Sequence, residues 1–323
     1  MAKSLISTQG LAVGYKRGNE AVQLLAGLNL DLCEGTLVAL LGMNGAGKST
    51  LMNALVGERL SIVTSKAQTT RHRIMGIVNT DDVQIVYSDP PGILKPNYRL
   101  QKNMLNFVDV AIGDADIILY VTDTVEKGDK NAEYVEKLQK IQCPVIVVVN
   151  KIDISDQQKV LELMEYWKQQ LPEALIIPAS AQERFNLDSI FDAIVSRLPV
   201  CPPWYDKDTF TDKNLRFFAS EIIREKILLN YKEEIPYCCE VVVESFKEGA
   251  ERYDISAVIY VTRDSQKGIL IGKGGSAMKR LGTQSRIEME DFFQKKVFLS
   301  LYVKVDTDWR ESRSELRKFG YEE

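Results

Sequence analysis

Phosphate chemistry is indicated first by residues 42–50, which read Gly-Met-Asn-Gly-Ala-Gly-Lys-Ser-Thr between an apolar run and a helical pattern. Glycines at this spacing let several backbone N–H groups converge on one anion. Lys48 can then reach the β- and γ-phosphates of a nucleoside triphosphate, and Ser49 can offer its hydroxyl to a magnesium ion. A glycine-rich turn with a chance lysine is the alternative, but the strand-loop-helix setting argues against it. The expected nucleotide contacts are Asn44, Gly45, Ala46, Gly47, Lys48, Ser49 and Thr50.

A second motif, Asp-Pro-Pro-Gly at residues 89–92, follows an apolar strand pattern. In a phosphate site, Asp89 would bind magnesium through water and the backbone N–H of Gly92 would contact the γ-phosphate. Asp-Pro and Pro-Gly also form ordinary turns, so the motif taken alone favours neither interpretation. The phosphate loop upstream favours the metal-binding one.

The choice of base is expected to come from Asn-Lys-Ile-Asp at residues 150–153, at the end of another apolar strand. The Asp153 carboxylate can accept both donors on the N1 and N2 edge of guanine, and adenine offers no such pair. The stem of Lys151 can cover the base plane, while Asn150 can tie neighbouring loops together. After the next strand, Ser180, Ala181 and Gln182 would add a backbone N–H to the guanine O6. The ordered motifs therefore predict a guanine nucleotide, with a solvated strand-end loop as the alternative for the first of them.

A different chemistry is indicated by Gly-Lys-Gly-Gly at residues 272–275, which matches the GXXG pattern that clamps the backbone of about four nucleotides in KH domains. Residues 263–286 contain six basic side chains and one acidic one, a local charge of +5 in a chain of net charge −4. Such a patch is typical of nucleic-acid binding, whereas a flexible loop beside a solvated face is the alternative. The expected RNA contacts are Gly272, Lys273, Gly274, Gly275, Lys279 and Arg280.

The elements that would position the nucleotide motifs alternate between apolar strands and helical stretches. The expected strands cover residues 74–78, 83–87, 117–122, 145–149 and 175–178. The expected helices cover residues 51–57, 98–113, 130–140, 156–171 and 187–198. This alternation predicts an α/β domain with a mostly parallel sheet and helices on both faces, whose ligands bind at the carboxyl ends of the strands. Two short alternating runs before it, residues 5–15 and 22–32, predict a hairpin.

Residues 201–212 begin Cys-Pro-Pro-Trp-Tyr and have no helical period, so we expect a linker there. After it we expect a helix to residue 231, strands at 238–246 and 255–263, a glycine-containing helix entry at 268–275, a helix at 276–293 and a strand at 297–305. The predicted division is an N-terminal extension (1–35), a nucleotide-binding domain (36–200), the linker (201–212) and an α+β RNA-binding domain (213–323).

The composition limits the class of protein. With 323 residues, of which 45% are hydrophobic and 27% charged, the chain is expected to form about two domains of ordinary soluble composition. No apolar run approaches the roughly 20 residues of a membrane span, and the first ten residues lack the apolar core of a signal peptide, so we expect a cytoplasmic protein. Five cysteines and one histidine without paired metal-ligand spacing argue against a structural zinc site.

From about residue 51 to the end, the chain resembles the Era family of bacterial GTPases. Besides the motifs at 89–92, 150–153 and 180–182, the match is carried by Lys-Ala-Gln-Thr-Thr-Arg-His-Arg at 66–73 and Ala-Ser-Glu-Ile-Ile-Arg-Glu-Lys at 219–226. The resemblance implies a P-loop GTPase domain followed by a type II KH domain, with GTP or GDP and Mg²⁺ as cofactors. It also implies that Thr70 lies in the first switch loop, so the expected metal-site residues are Ser49, Thr70 and Asp89. The expected catalytic residues are Lys48, Thr70 and Gly92.

The same resemblance implies a partner, the 3′ end of small-subunit ribosomal RNA, bound during assembly of the 30S subunit. It predicts a monomer and leaves peripheral association with the inner face of the cell membrane open. After the Asp-Pro-Pro-Gly motif come Ile93 and Leu94, which cannot orient an attacking water through a side-chain hydrogen bond. We therefore expect slow GTP hydrolysis by in-line attack of water, with charge neutralised by Lys48, magnesium and loop N–H groups.

The front of the chain departs from this family pattern. Residues 11–50, with Val-Gly-Tyr at 13–15 and the glycine-rich loop, resemble the N-terminal part of an ABC-transporter ATPase, in which Tyr15 would stack on adenine. Nothing after residue 50 continues that resemblance, so the sequence predicts a chimera joined near residues 47–50. Three hypotheses remain open: a GTP-hydrolysing RNA-binding switch, an ATP-binding ABC-like fragment, and an RNA-binding module whose nucleotide domain does not turn over.

Overall fold

The computed structural model describes residues 4–17, 20–33, 37–64, 66, 68–125 and 132–322, with the two N-terminal segments and residue 132 described by their backbone alone. The described strands are β1 (Ser4–Arg17), β2 (Glu20–Cys33), β3 (Leu37–Leu41), β4 (Ile74–Asn79), β5 (Gln84–Asp89), β6 (Ile117–Asp123), β7 (Val145–Asn150), β8 (Leu175–Pro178), β9 (Glu240–Glu248), β10 (Arg252–Val261) and β11 (Lys296–Val305). The described α-helices are α1 (Lys48–Val56), α2 (Arg99–Asp114), α3 (Ala132–Gln139), α4 (Gln157–Gln170), α5 (Leu187–Val195), α6 (Leu215–Asn230), α7 (Ile235–Cys238), α8 (Asp264–Ile271), α9 (Ser276–Phe293) and α10 (Arg313–Lys318).

Six strands of the α/β domain form one sheet in the order β4-β5-β3-β6-β7-β8. Neighbours from β5 to β8 pair in parallel, while β4 pairs antiparallel with β5 at the edge. Every residue of β3 is buried, because strands lie on both sides of it and helices cover both faces of the sheet. The predicted mostly parallel α/β sheet is therefore confirmed.

The two faces of this sheet are covered by different helices. Ile146 and Val148 of β7 belong to a cluster that includes residues of α1 and α5. Val147 and Val149, which alternate with them and point to the opposite face, belong to a cluster with residues of α3 and α4. Both clusters converge on strands whose carboxyl ends point toward the same edge of the sheet. The glycine-rich loop leaves β3 at that edge.

The predicted bounds of these elements agree with the structure to within a few residues. Helix α1 begins at Lys48 instead of residue 51, because the glycine-rich loop leads directly into the helix. The N-terminal hairpin is confirmed as an antiparallel pair of β1 and β2, which continues through residues 16–17 of the predicted 16–19 connection. Residues 18–19 lie outside the described residues. Residues 130–131, the predicted start of the third helix, lie outside them as well.

The C-terminal domain contains a three-stranded sheet in which β10 pairs antiparallel with β9 and parallel with β11. Helices α6 and α9 pack together on this sheet around an apolar cluster. The predicted helix entry at 268–275 is wrong in one respect, because residues 264–271 form a complete helix, α8, and Gly268 lies inside it. Gln266 supports the start of α8, since its Oε1 atom accepts hydrogen bonds from the backbone N atoms of Thr262 and Arg263.

The stretch predicted as a linker, residues 201–212, is bonded along the α/β sheet. The N atom of Ile77 donates to the carbonyl of Phe210 at 2.9 Å, and Thr211 forms a β-bridge with Gly76. The side-chain oxygen of Gln84 accepts from the N atoms of Trp204 and Tyr205. These contacts cover part of the exposed edge of β4, which would otherwise present unpaired backbone groups.

A separate apolar cluster joins the two domains. Leu100 and Met104 of α2 lie in one cluster with Val258, Tyr260, Trp309, Leu316, Phe319 and Tyr321 of the C-terminal domain. Trp309 is fully buried, and its Nε1 atom donates to the carbonyl of Cys238 at 3.2 Å. The domains therefore share a buried core and not only a covalent connection. None of the described helices combines the length and apolarity needed to span a membrane.

Candidate nucleotide site and nucleic-acid interface

The glycine-rich loop is folded tightly against the ends of two other strands. Gly42, Gly45 and Gly47 have φ angles of 144°, 91° and 92°, in the range that side chains disfavour. A Cβ atom on Gly42 would lie 2.1 Å from the carbonyl oxygen of Val121. The Nζ atom of Lys48 donates to the carbonyls of Gly42 at 3.2 Å and Met43 at 3.4 Å, so the ammonium group is held over the loop. The loop therefore has the tight, glycine-lined shape that a phosphate group would need.

Three residues expected to hold magnesium lie together at the start of α1. Ser49 donates through Oγ to Asp89 Oδ2 at 2.6 Å, and Thr70 Oγ1 lies 3.0 Å from Ser49 Oγ. Ser61, which the sequence did not single out, also donates to Asp89 Oδ2 at 3.0 Å. The structure thus brings together side chains from α1, the end of β5 and the loop between α1 and β4. We call Ser49, Thr70 and Asp89 the metal cluster.

The metal cluster fits a magnesium ion in two respects. Its side chains offer oxygen ligands, and one carboxylate oxygen lacks a hydrogen-bond partner among the described residues. The Oδ1 atom of Asp89 is buried and has no hydrogen-bond partner among the described residues. Burial raises the pKa of Asp89, whereas Lys48 and the hydroxyls of Ser49 and Ser61 oppose that rise. A hard cation prefers oxygen ligands, so a bound magnesium ion or its water would satisfy the orphaned oxygen and favour the ionised carboxylate.

The Asp-Pro-Pro-Gly segment lies against the glycine-rich loop. A Cβ atom on Gly92 would stand 2.3 Å from Asn44 Oδ1 and 2.9 Å from the Asn44 N atom. The N atom of Ile93 donates to the carbonyl of Gly42 at 3.2 Å, and the Ile93 side chain is buried. The segment therefore packs directly against the glycine-rich loop and is not an independent surface turn. Only glycine permits so close an approach.

The base-reading loop is tied to two neighbouring loops by Asn150. Its Nδ2 atom donates to the carbonyl of Ala46 at 2.9 Å, and its Oδ1 atom accepts from the N atom of Ala181 at 3.0 Å. This is the connecting role that the sequence predicts for Asn150. Asp153 is exposed in a short 3₁₀ turn, Ile152–Ile154, and Gln182 is exposed as well, whereas Ser180 and Ala181 are buried. The carboxylate that would read guanine is therefore open to a ligand.

Lys151 lies across the mouth of the glycine-rich loop. Its φ angle is 62°, and its Nζ atom donates to the carbonyl of Gly45 at 2.5 Å and to Asp123 Oδ2 at 2.6 Å. Asp123 was missed in the sequence, although its place at the end of a fully buried apolar strand, β6, was a usable signal. Its buried carboxylate helps to hold the side chain of Lys151 beside the glycine-rich loop.

The GXXG loop connects α8 to α9 in the C-terminal domain. Gly272, Gly274 and Gly275 have φ angles of 72°, 60° and 77°. A Cβ atom on Gly272 would meet Ala277 Cβ at 2.7 Å, whereas one on Gly274 or Gly275 would meet nothing within 4 Å. The loop is therefore open to a ligand on the side of its last two glycines. It leads into the N-terminus of α9, where backbone N–H groups favour phosphate.

Basic and apolar side chains surround this loop. Lys273, Lys279 and Arg280 are exposed, so the six predicted RNA contacts lie together at one end of α9. Beside them runs a groove of about 420 Å³ between α9 and β11. Its lining includes Ile271, Gly275, Met278, Lys279, Leu299 and Leu301. A groove with a charged rim and an apolar floor can hold the backbone and the bases of a single strand.

Comparisons with known protein families match both parts of the chain. A family model described as "50S ribosome-binding GTPase" matches residues 37–151, and a KH-domain model matches residues 234–310. The chain is 39% identical over 288 residues to GTPase Era of Heliobacterium modesticaldum, covering 88% of this chain and 96% of that protein. It is 42% identical over 289 residues to the chloroplastic GTPase ERA1 of Zea mays, covering 88% of this chain and 70% of that one.

Solved structures are similar over the same extent. A crystal structure of Era in complex with MgGDPNP and nucleotides 1506–1542 of 16S ribosomal RNA has a TM-score of 0.85 at 36% identity, covering 88% of this chain and 98% of that one. A variant of Aquifex aeolicus Era bound to GDP and AlF₄⁻ has a TM-score of 0.84 at 37% identity, with the same coverage. These comparisons give no support to the ABC-like interpretation of residues 1–50.

Proposed function

Because the chain belongs to the Era family of GTPases, we propose that it is a GTP-driven switch that binds the 3′ end of small-subunit ribosomal RNA and assists assembly of the 30S subunit. The proposal that the chain binds GTP rests mainly on the metal cluster, in which Ser49 lies within hydrogen-bond distance of both Thr70 and Asp89. The RNA half is supported by the open GXXG loop and by the solved relative that holds 16S ribosomal RNA.

In this proposal each motif has one task. Residues 44–50 bind the phosphates through loop N–H groups and Lys48, while Asp153 and the loop at 180–182 select guanine. Bound at the metal cluster, magnesium would neutralise charge on the β- and γ-phosphate oxygens. Thr70 and Gly92 complete the site around the γ-phosphate, and Lys48 stabilises the charge that develops on it. The buried apolar side chain of Ile93 leaves the attacking water without a side-chain partner there, so hydrolysis is slow.

In the C-terminal domain, the backbone of a single RNA strand is held at Gly272, Lys273, Gly274 and Gly275. Lys279 and Arg280 add positive charge one turn into α9. The bases then occupy the groove between α9 and β11. Positive charge concentrated in this region makes such binding dependent on salt.

The experiment that tests the nucleotide half is a comparison of GTP and ATP affinities on the purified chain. We expect GTP to bind at least about 100-fold more tightly, because Asp153 accepts two hydrogen bonds worth about 1.5–3 kcal/mol each from guanine alone. Asp153→Ala should remove that preference. Asp192→Ala, which removes an exposed carboxylate on α5, is the matched control and should leave it intact. A parent protein that prefers ATP would contradict the proposal.

The RNA-binding module without turnover is the competing hypothesis. It predicts that RNA binding survives Lys48→Ala and that the parent protein does not hydrolyse GTP at all. Measurable GTP hydrolysis by the parent, lost in Lys48→Ala, would exclude it.

For the front of the chain, we propose an ABC-like origin of residues 1–50, supported by the sequence motif at 13–15 and by the glycine-rich loop at 42–50. The side chain of Tyr15 lies outside what the structure describes. If Tyr15→Ala leaves all nucleotide binding unchanged, the ABC-like interpretation loses its main support.

Domain boundaries at residues 35, 200 and 212, the monomeric state, the cytoplasmic location and peripheral contact with the inner face of the membrane stay predictions from the sequence. Sedimentation of the purified chain alone and with anionic lipid vesicles measures its oligomeric state and its membrane contact.

A further inference from the structure

Thr70 and Arg71 are adjacent in the chain, yet their side chains contact different domains. Thr70 contacts Ser49 in the metal cluster at 3.0 Å. Arg71 is 1% exposed, and its guanidinium lies among groups of the C-terminal domain. A single peptide bond therefore links a residue of the metal cluster to a side chain that is buried between the two domains.

The contacts of Arg71 form a specific pocket. Its Nη1 atom donates to the carbonyl of Cys239 at 2.7 Å and to Glu240 Oε2 at 2.9 Å. Its Nη2 atom donates to the carbonyl of Pro236 at 3.0 Å. The three acceptors lie in α7, at Cys239 directly after it, and at the first residue of β9. A buried guanidinium that loses such partners is left with an uncompensated charge, so the loop is strongly held in this position.

His72, the residue after Arg71, also contacts the C-terminal domain. The ring of His72 stacks on that of Tyr321, with centroids 4.3 Å apart and planes at 17°. The hydroxyl of Tyr321 donates to Glu240 Oε2 at 2.9 Å, the same oxygen that accepts from Arg71. Further along the loop, Lys66 donates through Nζ to the carbonyls of Leu228 and Tyr231 at the end of α6. The segment that contains Thr70 is thus seated on the C-terminal domain on both sides of that residue.

We propose that Arg71 is a positioning residue through which docking of the KH domain holds Thr70 at the metal cluster, so that domain docking and binding of the triphosphate are coupled. The inference rests on the proposed function, since it requires a guanine nucleotide and magnesium at that cluster. Thr70 can meet the γ-phosphate and its metal only in the triphosphate state. Docking therefore favours the triphosphate over the diphosphate, and by linkage the triphosphate favours docking by the same factor.

Arg59 supplies a matched comparison for this role. It too bridges the domains, through ion pairs with Glu225 and Glu288, but its side chain is 54% exposed and it lies outside the segment of Thr70 and Arg71. If Arg71 only joined the domains, its replacement, like that of Arg59, would leave the ratio of triphosphate to diphosphate affinity unchanged. If Arg71 positions Thr70, only its replacement changes the discrimination between triphosphate and diphosphate.

The experiment measures the affinities of the full chain for a non-hydrolysable GTP analogue and for GDP, both with Mg²⁺. We expect Arg71→Gln to weaken binding of the analogue about tenfold and to change GDP affinity less than about twofold. Arg59→Gln should keep the parental ratio of the two affinities. A parental ratio in Arg71→Gln, an equal loss for both nucleotides, or the same change in Arg59→Gln would each overturn the inference.

A second variant keeps the test decisive where Arg71→Gln does not fold. Glu240→Gln preserves side-chain volume and an acceptor for Tyr321 but removes the charge opposite Arg71. We expect a change of the ratio in the same direction but smaller, about threefold, and an unchanged ratio contradicts the inference. A parent protein that binds neither nucleotide contradicts the proposed function and, with it, the inference. If the parent binds both nucleotides and both variants keep its ratio of analogue to GDP affinity, only the inference is contradicted.

Discussion

The metal cluster and the GXXG loop are both sites for phosphate groups, but they are built in opposite ways. The first is assembled from α1, the end of β5 and the loop before β4, and its parts bond to one another. The second is one continuous stretch in which Gly274 and Gly275 face open space. A site made of cross-bonded loops tolerates little change at any of them, whereas a local open loop tolerates changes that leave its charge and backbone intact. Two measurements test this difference, and a third tests the boundary between the domains that contain the two sites.

The largest effect is expected at the nucleotide site from Gly47→Ala. A Cβ atom there would lie 2.3 Å from Asn150 Nδ2, at a φ of 92° that alanine disfavours. Backbone strain of about 1–3 kcal/mol and loss of a hydrogen bond of about 1 kcal/mol should weaken GTP binding about 100-fold. Gly113→Ala, on α2 with nothing within 4 Å of the added atom, is the control and should leave GTP affinity unchanged. Isothermal titration calorimetry measures the GTP affinities of both variants. Equal GTP affinities would mean that the nucleotide site tolerates an added side chain, and the contrast with the GXXG loop would be lost.

At the GXXG loop we expect a smaller loss, caused by charge. Gly274→Asp places a carboxylate where the RNA backbone passes, and should weaken binding of a single-stranded RNA with the 3′-terminal sequence of small-subunit ribosomal RNA about tenfold. Gly274→Asn matches its shape and also tolerates the left-handed conformation, so it should lose less than about threefold. Fluorescence anisotropy gives both affinities. Equal losses would mean that shape, as in the nucleotide site, limits this loop too.

The smallest effect is expected where the two domains meet. Burial lowers the pKa of His72 to about 4 from its ordinary value of 6.5, so the folded protein keeps the ring neutral while the unfolded chain takes up a proton below pH 6.5. The free energy of unfolding should therefore decrease as the pH falls from about 6.5 to 4. Because the ring is not wholly shielded from solvent, we expect its share between pH 7 and pH 5 to be about 1 kcal/mol.

His72→Phe keeps an aromatic ring against Tyr321 but cannot titrate. Urea unfolding at pH 7 and pH 5 should show a smaller decrease for this variant than for the parent. Identical decreases in the two proteins would mean that His72 does not contribute to the acid sensitivity of the fold.

The sequence predicted most of what depends on local pattern. The strands of the α/β sheet follow from apolar runs such as that of β7, and the phosphate, base and GXXG loops from glycine and carboxylate spacing. Asn150 was expected to join loops because its place at a strand end puts its amide between two of them. These features depend on the spacing of apolar residues and on the residue types that form turns. Both can be read from one continuous stretch of the chain.

What escaped prediction depends on partners that are distant in the chain. Ser61 is one hydroxyl in a polar loop, and only the folded chain places it 3.0 Å from Asp89 Oδ2. The pocket of Arg71 draws on residues 165 to 169 positions away, which no local pattern indicates. Helix α8 was misjudged because Gly268 lies inside it, and a glycine near other glycines favours a loop when seen without the packing around it.

Trp309 gives the molecule a built-in optical probe. The chain has three tryptophans; Trp167 is buried in the α/β domain, Trp204 is partly exposed, and Trp309 lies in the cluster shared by both domains. Indole emission moves to longer wavelength when water reaches the ring. Parting the domains would expose Trp309 while leaving the core around Trp167 closed, so a red shift without loss of helical circular dichroism would report undocking in real time and without any label.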